Sequence, residues 1–320
     1  MNPRRFLFGF LLAGLSVGAA AQGYPAKSIR LLIGFAPGGA ADYVARAMSQ
    51  SMSTALGQSV VVENRPGAGS SIAADLVAKA APDGYTLLIA SPSSISVNPA
   101  LNPKLGYSPR DLAPVTKLTS SPLVIAANPN TGINSVQDLV ARAKKEPGKL
   151  NYATVNTGST QHLVSEWFKQ LGGFQAQGLT FRTTPEVITS VLRGDVSYAI
   201  ELAHAVRGQV ESGELKILAV TTPTRWPSLP DTPTAVEQGL PTFAATGWYG
   251  LVYPAGVPQP IIDKTQKALT QVLAQDAIKR QLANAGAIPA LSTPAEFNKL
   301  ISDEVVRWKK VATEAHIQPQ

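Results

Sequence analysis

The chain has 320 residues, of which 44% are hydrophobic and 15% are charged, and this composition predicts a packed α/β protein too long for one small core. The formal net charge is +7, but the basic residues are scattered, which argues against nucleic acid and favours small anions as partners. There are no cysteines and only three widely spaced histidines, so we expect no metal and no cofactor. We also expect a monomer.

The first 21 residues have the pattern of a signal peptide. Arg4 and Arg5 form a positive start, residues 6–19 are an apolar run, and residues 19–21 offer a small-residue cleavage site. The run is short for a membrane span, although a retained anchor is the alternative. The arginine pair leaves the export route open between the general secretory and the twin-arginine pathways.

After this segment, short apolar strands alternate with amphipathic helices. The predicted elements are strands at 29–35, 60–63 and 86–90 and helices at 42–56 and 70–79. In the first helix, Val44, Met48, Met52 and Leu56 recur at a spacing of four residues on one face. Such a series predicts parallel strands with helices on both faces of a sheet.

The rest of the chain repeats this pattern. We predict strands at 122–127, 151–154, 179–181, 196–200, 217–220 and 248–253, helices at 135–145, 161–171, 186–193, 259–273 and 293–315, and a loop at 222–241. The chain would cross between two lobes near 112–122 and 242–253. The first lobe is then 24–118 plus 246–320 and the second is 119–245, with a hinge that could close on a ligand.

Turns after predicted strands provide the candidate ligand-binding residues. Glycines and helix starts present free N–H groups to a carboxylate or phosphate, and serine or threonine hydroxyls follow two of the strands. The alternatives are tight turns and helix caps, with Asp42 complementing a helix dipole. The candidates are Phe35, Ala36, Pro37, Gly38, Gly39, Ala40, Ala41, Ser91, Ser93, Ser94, Asn98, Asn156, Thr157, Gly158, Ser159 and Thr160.

Two further residues have ambiguous roles, and catalytic motifs are missing. Arg65, in a turn that matches neither the dinucleotide fingerprint nor a P-loop, could contact an anion or brace the loop. Glu201, after the predicted strand 196–200, could meet a donor on a ligand or be an exposed acid. An exported hydrolase using Ser91, Ser93 or Ser159 with His162 as base is the enzymatic alternative.

Several segments together resemble one family. APGGAAD, then ALGQSVVVENRPGAGSSIAADLVAKAAPDGYTLL, NPAL at 98–101 and PGKLNYAT at 147–154 are similar to the receptors of tripartite tricarboxylate transporters, the TctC-like or Bordetella-uptake-gene family. The resemblance covers essentially the whole chain after the signal. It implies a periplasmic, non-enzymatic solute-binding protein with a two-lobed, type II-like Venus-flytrap fold. It also implies a small carboxylate as ligand and membrane transporter subunits as partners.

The resemblance further implies how the ligand is held. Residues 36–41 and 91–94 would bind one carboxylate, partly through water, and residues 156–160 and Glu201 would close over it. This chain has Arg182 where the family commonly has lysine, and Glu201-Leu202 where Asp-Asn is common. Arg182 could meet a second anionic group, so the resemblance does not fix the ligand. A receptor that serves a signalling partner instead of a transporter stays an open alternative.

Overall fold

The computed structural model describes residues 23–317, so the predicted signal peptide lies outside the described residues. The strands are β1 (Ile29–Ile33), β2 (Val60–Asn64), β3 (Thr86–Ala90), β4 (Leu112–Ala127), β5 (Asn151–Val155), β6 (Gln177–Phe181), β7 (Tyr198–Leu202), β8 (Lys216–Val220), β9 (Thr246–Pro254) and β10 (Ile288–Pro289). The helices are α1 (Ala40–Leu56), α2 (Ser71–Ala78), α3 (Asn98–Leu101), α4 (Val136–Lys145), α5 (Thr160–Gly172), α6 (Thr184–Leu192), α7 (Ala203–Glu211), α8 (Gln259–Ala274), α9 (Asp276–Asn284) and α10 (Pro294–Glu314).

The first lobe is built on the strand order β2-β1-β3-β9-β4. β1 pairs in parallel with β2 and β3, as the alternating pattern predicts, whereas β9 runs antiparallel to β3 and β4. Side chains of successive residues point to opposite faces, so Leu31 and Ile33 join one core and Leu32 joins the other. Val44, Met48 and Met52 of α1 pack in the same core as Leu31, which confirms the predicted apolar face.

The second lobe continues from β4 in the order β4-β7-β5-β6. β5 is parallel to β6 and β7, and β4 is antiparallel to β7 and β8. The long β4 therefore belongs to both sheets: residues 112–122 pair with β9, and residues 123–127 pair with β7. β4 and β9 carry the chain between the lobes, and the two-lobed α/β fold is confirmed.

The last helix, α10, joins the two lobes from one side. Near its start, Phe297 packs edge-on against Trp248 of β9, with ring centroids 5.3 Å apart. Near its end, Trp308 packs edge-on against Trp167 of α5 at 5.9 Å, and the guanidinium of Arg307 lies 4.7 Å from the Trp167 ring. α10 thus contacts the hinge and the second lobe together.

Some elements differ from those predicted. The sequence pattern misses α7 and α9, and it misses a π-helical turn at Ser93–Val97 that leads into α3. Glu201 lies inside β7, since that strand runs two residues beyond the predicted end. The exact lobe boundaries stay a prediction. None of the described helices combines the length and apolarity needed to cross a membrane.

Candidate functional site

Two spaces lie between the lobes. An inner cavity of about 190 Å³ reaches the hinge strands, and an outer groove of about 720 Å³ lies further from them. Every residue that lines the inner cavity is uncharged: Phe35, Ser91, Pro92, Ser93, Ser121, Leu123, Thr160, Gln161, Leu202, Gly247, Trp248 and Tyr249. The inner cavity therefore presents hydroxyl, amide and aromatic groups to anything it holds.

The end of β3 supplies one wall of the inner cavity. Ser91 is 3% exposed and its Oγ has no hydrogen-bond partner, although the residue lines the cavity. The neighbouring Ser94 has a structural task instead, because its Oγ accepts from the Ser91 N–H and donates to the Ser91 carbonyl, both at 3.0 Å. A buried hydroxyl without a partner is costly, so Ser91 is suited to bind a ligand that enters the cavity.

Ser93 and Thr160 meet across the lobes. The Oγ of Ser93, which follows β3, is 3.3 Å from the Oγ1 of Thr160 at the start of α5. Ser93 lines both the cavity and the groove. This hydroxyl pair therefore lies at the boundary between the two spaces and connects the lobes directly.

The first turn of α5 supplies donors from the second lobe. Ser159 is its N-cap, and the Ser159 Oγ accepts from the His162 N–H at 3.1 Å. His162 Nδ1 in turn accepts from the Gly158 N–H at 3.0 Å, and burial lowers the pKa of His162, which favours the neutral ring. The N–H groups of Thr160 and Gln161 have no helical carbonyl to pair with and carry the positive end of the helix dipole. Both residues line the inner cavity.

Glu201 lies behind Gln161 and does not line either space. Its Oε2 accepts from Gln161 Nε2 at 3.3 Å, its Oε1 has no hydrogen-bond partner, and the residue is 1% exposed. Burial raises the pKa of Glu201 to about 7, and its bonds to Gln161 and to the Leu202 backbone oppose that rise only in part. Its effect on a ligand in the inner cavity must pass through Gln161.

In the turn after β1, the backbone N–H of Gly38 is already hydrogen-bonded within the protein. Gly38 N–H donates to Asp42 Oδ2 at 3.0 Å, and the same carboxylate accepts from Arg46 and Asn64. These bonds, above all the one from Arg46, lower the pKa of Asp42 to about 2. Of this turn only Phe35 lines the inner cavity. The others do not line it: Ala36, Pro37, Gly38 and Gly39 are exposed, Ala40 is half-buried and Ala41 is buried.

The outer groove collects most of the remaining candidates, which are Asn98, Asn156, Thr157, Gly158, Ser159 and Arg182. Asn98 holds the neighbouring turn, because its Nδ2 lies 3.1 Å from the carbonyls of both Ala68 and Gly69. That turn needs support, since Ala68 and Ser70 both have left-handed φ angles, 45° and 73°. Arg182 is the charged residue in the lining, and its backbone N–H donates to Glu186. Arg65 pairs with Glu63 at 3.3 Å, which favours the bracing role.

A family model decides what kind of protein carries this site. The model for the tripartite tricarboxylate transporter family receptor matches residues 44–317. The chain belongs to this family. Among curated relatives, it is 35% identical to protein BugT of Bordetella pertussis over 98% of each chain.

Solved structures of similar proteins agree with this family. Rpa4515 of R. palustris, solved with adipate, is 32% identical with a TM-score of 0.78 over 93% of this chain and 100% of that one. MatC of Rhodopseudomonas palustris, solved with bound malate, is 31% identical with a TM-score of 0.73 over 90% of this chain and 99% of that one. Both have the two-lobed fold of periplasmic binding proteins.

In this tripartite tricarboxylate transporter receptor, sequence reasoning misses much of the inner cavity. The missed lining residues are Ser121, Leu123, Gln161, Leu202, Gly247, Trp248 and Tyr249. Most of them lie on or beside β4, β7 and β9. The predicted crossings at 112–122 and 242–253 are the sequence feature that could have pointed to this part of the lining. Within residues 23–317, no group of three or more metal-ligating side chains occurs.

Proposed function

We propose that this receptor works in the periplasm, where it captures a small organic carboxylate in the inner cavity and delivers it to the membrane subunits of a tripartite tricarboxylate-type transporter. One observation carries the proposal: the buried, unpartnered Ser91 Oγ and the first turn of α5 line the same small cavity from opposite lobes. A carboxylate between them would accept hydrogen bonds from both lobes at once.

Closure of the lobes explains how such a ligand would be held. A ligand bound to one lobe alone receives hydrogen bonds from the donors of that lobe only. The Ser93–Thr160 contact brings the donors of the two lobes close together. Binding energy from the second lobe is then available only in the closed form, which links capture to closure. The adipate and malate of the similar R. palustris proteins make short aliphatic acids the first candidates for this chain.

The test measures ligand binding by the mature protein. We expect thermal unfolding to shift upward with at least one acid from a panel of mono-, di- and hydroxycarboxylates, since a ligand that binds only the native state raises its stability. Ser91→Ala should then weaken binding about tenfold or more in calorimetry, because a hydrogen bond to a charged group contributes about 1.5–3 kcal/mol.

Ser165→Ala is the matched control. Ser165 is fully buried, its Oγ also has no partner, and it lies on α5 outside the lining of the inner cavity. Its loss should leave affinity unchanged. If Ser91→Ala bound every acid as well as wild type, the ligand would not be held in the inner cavity.

The hydrolase alternative has less support. A serine hydrolase needs a histidine ring nitrogen that accepts from the nucleophile. Because His162 Nδ1 accepts from the Gly158 backbone, the neutral ring carries its proton on Nε2 and offers no acceptor to a serine. The hydroxyls of Ser93 and Ser159 are bonded to Thr160 and to the His162 N–H. Turnover of an ester or amide by the purified protein would favour that alternative over a receptor.

A further inference from the structure

Resting on the proposed function, we propose that Gln161 is the specificity-determining residue of the inner cavity and that Glu201 positions its side-chain amide. The carbonyl end of Gln161 then faces the ligand, and the receptor favours acids that carry a hydroxyl group over the same acids without it.

The position of Gln161 supports this role. It is the second residue of α5, it lines the inner cavity, and it lies beside Thr160, whose N–H is one of the proposed carboxylate donors. Its Nε2 donates to Glu201 Oε2 at 3.3 Å. A glutamine amide has donors on nitrogen and acceptor sites on oxygen. With the nitrogen directed to Glu201, the oxygen is the end that remains for the cavity.

Glu201 keeps the side-chain amide of Gln161 from rotating so that its nitrogen and oxygen exchange places. An ionised carboxylate only accepts hydrogen bonds, so it can pair with Nε2 and not with the amide oxygen. Glu201 is 1% exposed, lies opposite Val124 in the pairing of β7 with β4, and has an Oε1 without a partner. Removal of the Gln161 amide would take away the side-chain partner of this buried carboxylate and leave it only its bond to the Leu202 backbone, which is expensive.

The resulting cavity has a donor side and an acceptor side. Ser91 and the start of α5 offer donors to a carboxylate, and Gln161 Oε1 offers an acceptor to another part of the ligand. A hydroxyl can donate there. A second carboxylate beside Gln161 would face an oxygen, with Glu201 behind it and no cation among the lining residues.

The experiment compares acids that differ by one hydroxyl group. Calorimetry at about pH 8, where Glu201 is mostly ionised, would measure lactate against propionate and 3-hydroxybutyrate against butyrate, all of them monocarboxylates. We expect wild type to bind the hydroxy acid at least about tenfold more tightly in one pair or both. Glu201→Gln lets the Gln161 amide reorient, because the new side chain can donate as well as accept. The preference should fall to about threefold or less.

Glu166→Gln is the matched control. Glu166 also lies on α5, but it pairs with Lys169 at 2.8 Å and lines neither space, so its change should keep the wild-type preference. Gln161→Leu gives a second variant: it should lose the hydroxy-acid preference while still binding the plain acid. Thermal unfolding checks that each variant is folded.

The outcomes separate the two proposals. Binding of plain and hydroxy acids with equal affinity by wild type, or an unchanged preference in folded Glu201→Gln, would overturn the role of Gln161 and leave the carboxylate receptor intact. If none of the four acids, nor any acid of the wider panel, bound, the proposed function itself would fall and this inference with it.

Discussion

The turns that open α1 and α5 both place a glycine four residues before the third position of the helix, and the charge at that third position differs. That position is Asp42 in α1 and His162 in α5. In both helices its side chain accepts a backbone N–H from four residues earlier: Gly38 to Asp42 at 3.0 Å, and Gly158 to His162 at 3.0 Å. The two turns share this bond and differ in charge, and they also differ at the N-cap, because Ser159 accepts from the His162 N–H whereas Gly39 has no side chain to accept one.

The charge decides what each helix start can do. The Asp42 carboxylate sits at the positive end of the α1 dipole, bonded to Arg46 and Asn64, and so compensates it. His162 is held neutral by burial, so the cap of α5 adds no negative charge of its own, and Glu201, whose carboxylate contacts the Gln161 side chain, does not line the inner cavity. A glycine-bearing turn before a helix is therefore not sufficient for anion binding, because the residue that caps the turn can already supply the negative charge.

The largest effect is expected when α5 receives the acidic residue that α1 carries at its third position. His162→Asp can keep the bond from Gly158, as Asp42 does from Gly38, but it adds a negative charge beside the cavity. Two carboxylates about 7 Å apart, at an effective dielectric constant of about 20, repel by roughly 2.4 kcal/mol. We expect carboxylate affinity measured by calorimetry to fall roughly 60-fold.

His316→Asp controls for the added charge. His316 is exposed beyond the end of α10, and its φ of 54° is one that aspartate tolerates. Its affinity should equal that of wild type. A His162→Asp protein that bound as tightly as wild type would show that the α5 start does not hold the carboxylate.

The buried acids of the two lobes extend the comparison to pH. Asp42 has cationic and amide partners and a pKa lowered to about 2, whereas burial raises the pKa of Glu201 from 4.5 to about 7. The folded protein therefore binds a proton at Glu201 more readily than the unfolded chain does. Stability from this group is highest at low pH and is lost as pH rises from 4.5 to about 7.

Denaturant titrations at about pH 5 and about pH 8 would measure this effect, which we expect to be about 2 kcal/mol in the free energy of unfolding. Glu201→Gln should remove the contribution of this group to the change of the unfolding free energy with pH. Glu304 supplies the control, because it is also a buried acid with a raised pKa. Glu304→Gln should leave the contribution of Glu201 to the pH dependence of stability unchanged. An equal slope in wild type and Glu201→Gln would mean that Glu201 does not titrate in this range.

The smallest expected effect concerns the first-lobe turn itself. Gly39 has φ −78°, and a Cβ there would meet only the Ala36 carbonyl at 3.5 Å, so Gly39→Val should fold normally. If the turn contributes a water-mediated bond to the ligand, the variant should bind about three- to tenfold more weakly, the cost of one hydrogen bond. Unchanged affinity would restrict the carboxylate to Ser91 and the start of α5.

Local patterns in the sequence predict most of the fold. The α1 face and the Ser135 cap, whose Oγ accepts from the Asp138 N–H at 3.0 Å, follow from spacing and residue type alone. β4 does not, because Pro114 and Pro122 interrupt a strand pattern, and the pairing with β9 shifts at Pro114/Thr116 and Lys117/Thr119. Its length depends on pairing with two sheets, which only the tertiary structure fixes.

The site is predictable to a lesser extent, for a related reason. Hydroxyls that follow strands, such as Ser91 and Ser93, can be recognised from the end of a buried strand. Gln161 and Tyr249 cannot, because one is an ordinary polar residue of a helix and the other belongs to an apolar hinge strand. Asn98 shows the opposite case: it lines the outer groove, and its amide also supports a strained turn, a role that its place in the sequence does not reveal.

The uncharged lining of the inner cavity has a consequence for how the receptor responds to its surroundings. Salt weakens attraction between exposed charges over distances of about 10 Å, but it acts far less on dipoles and hydrogen bonds inside a closed space. A carboxylate bound by hydroxyls and a helix start, as proposed here, should thus keep nearly the same affinity in dilute and concentrated media. The rate at which the anion reaches this basic protein would still fall as ionic strength rises.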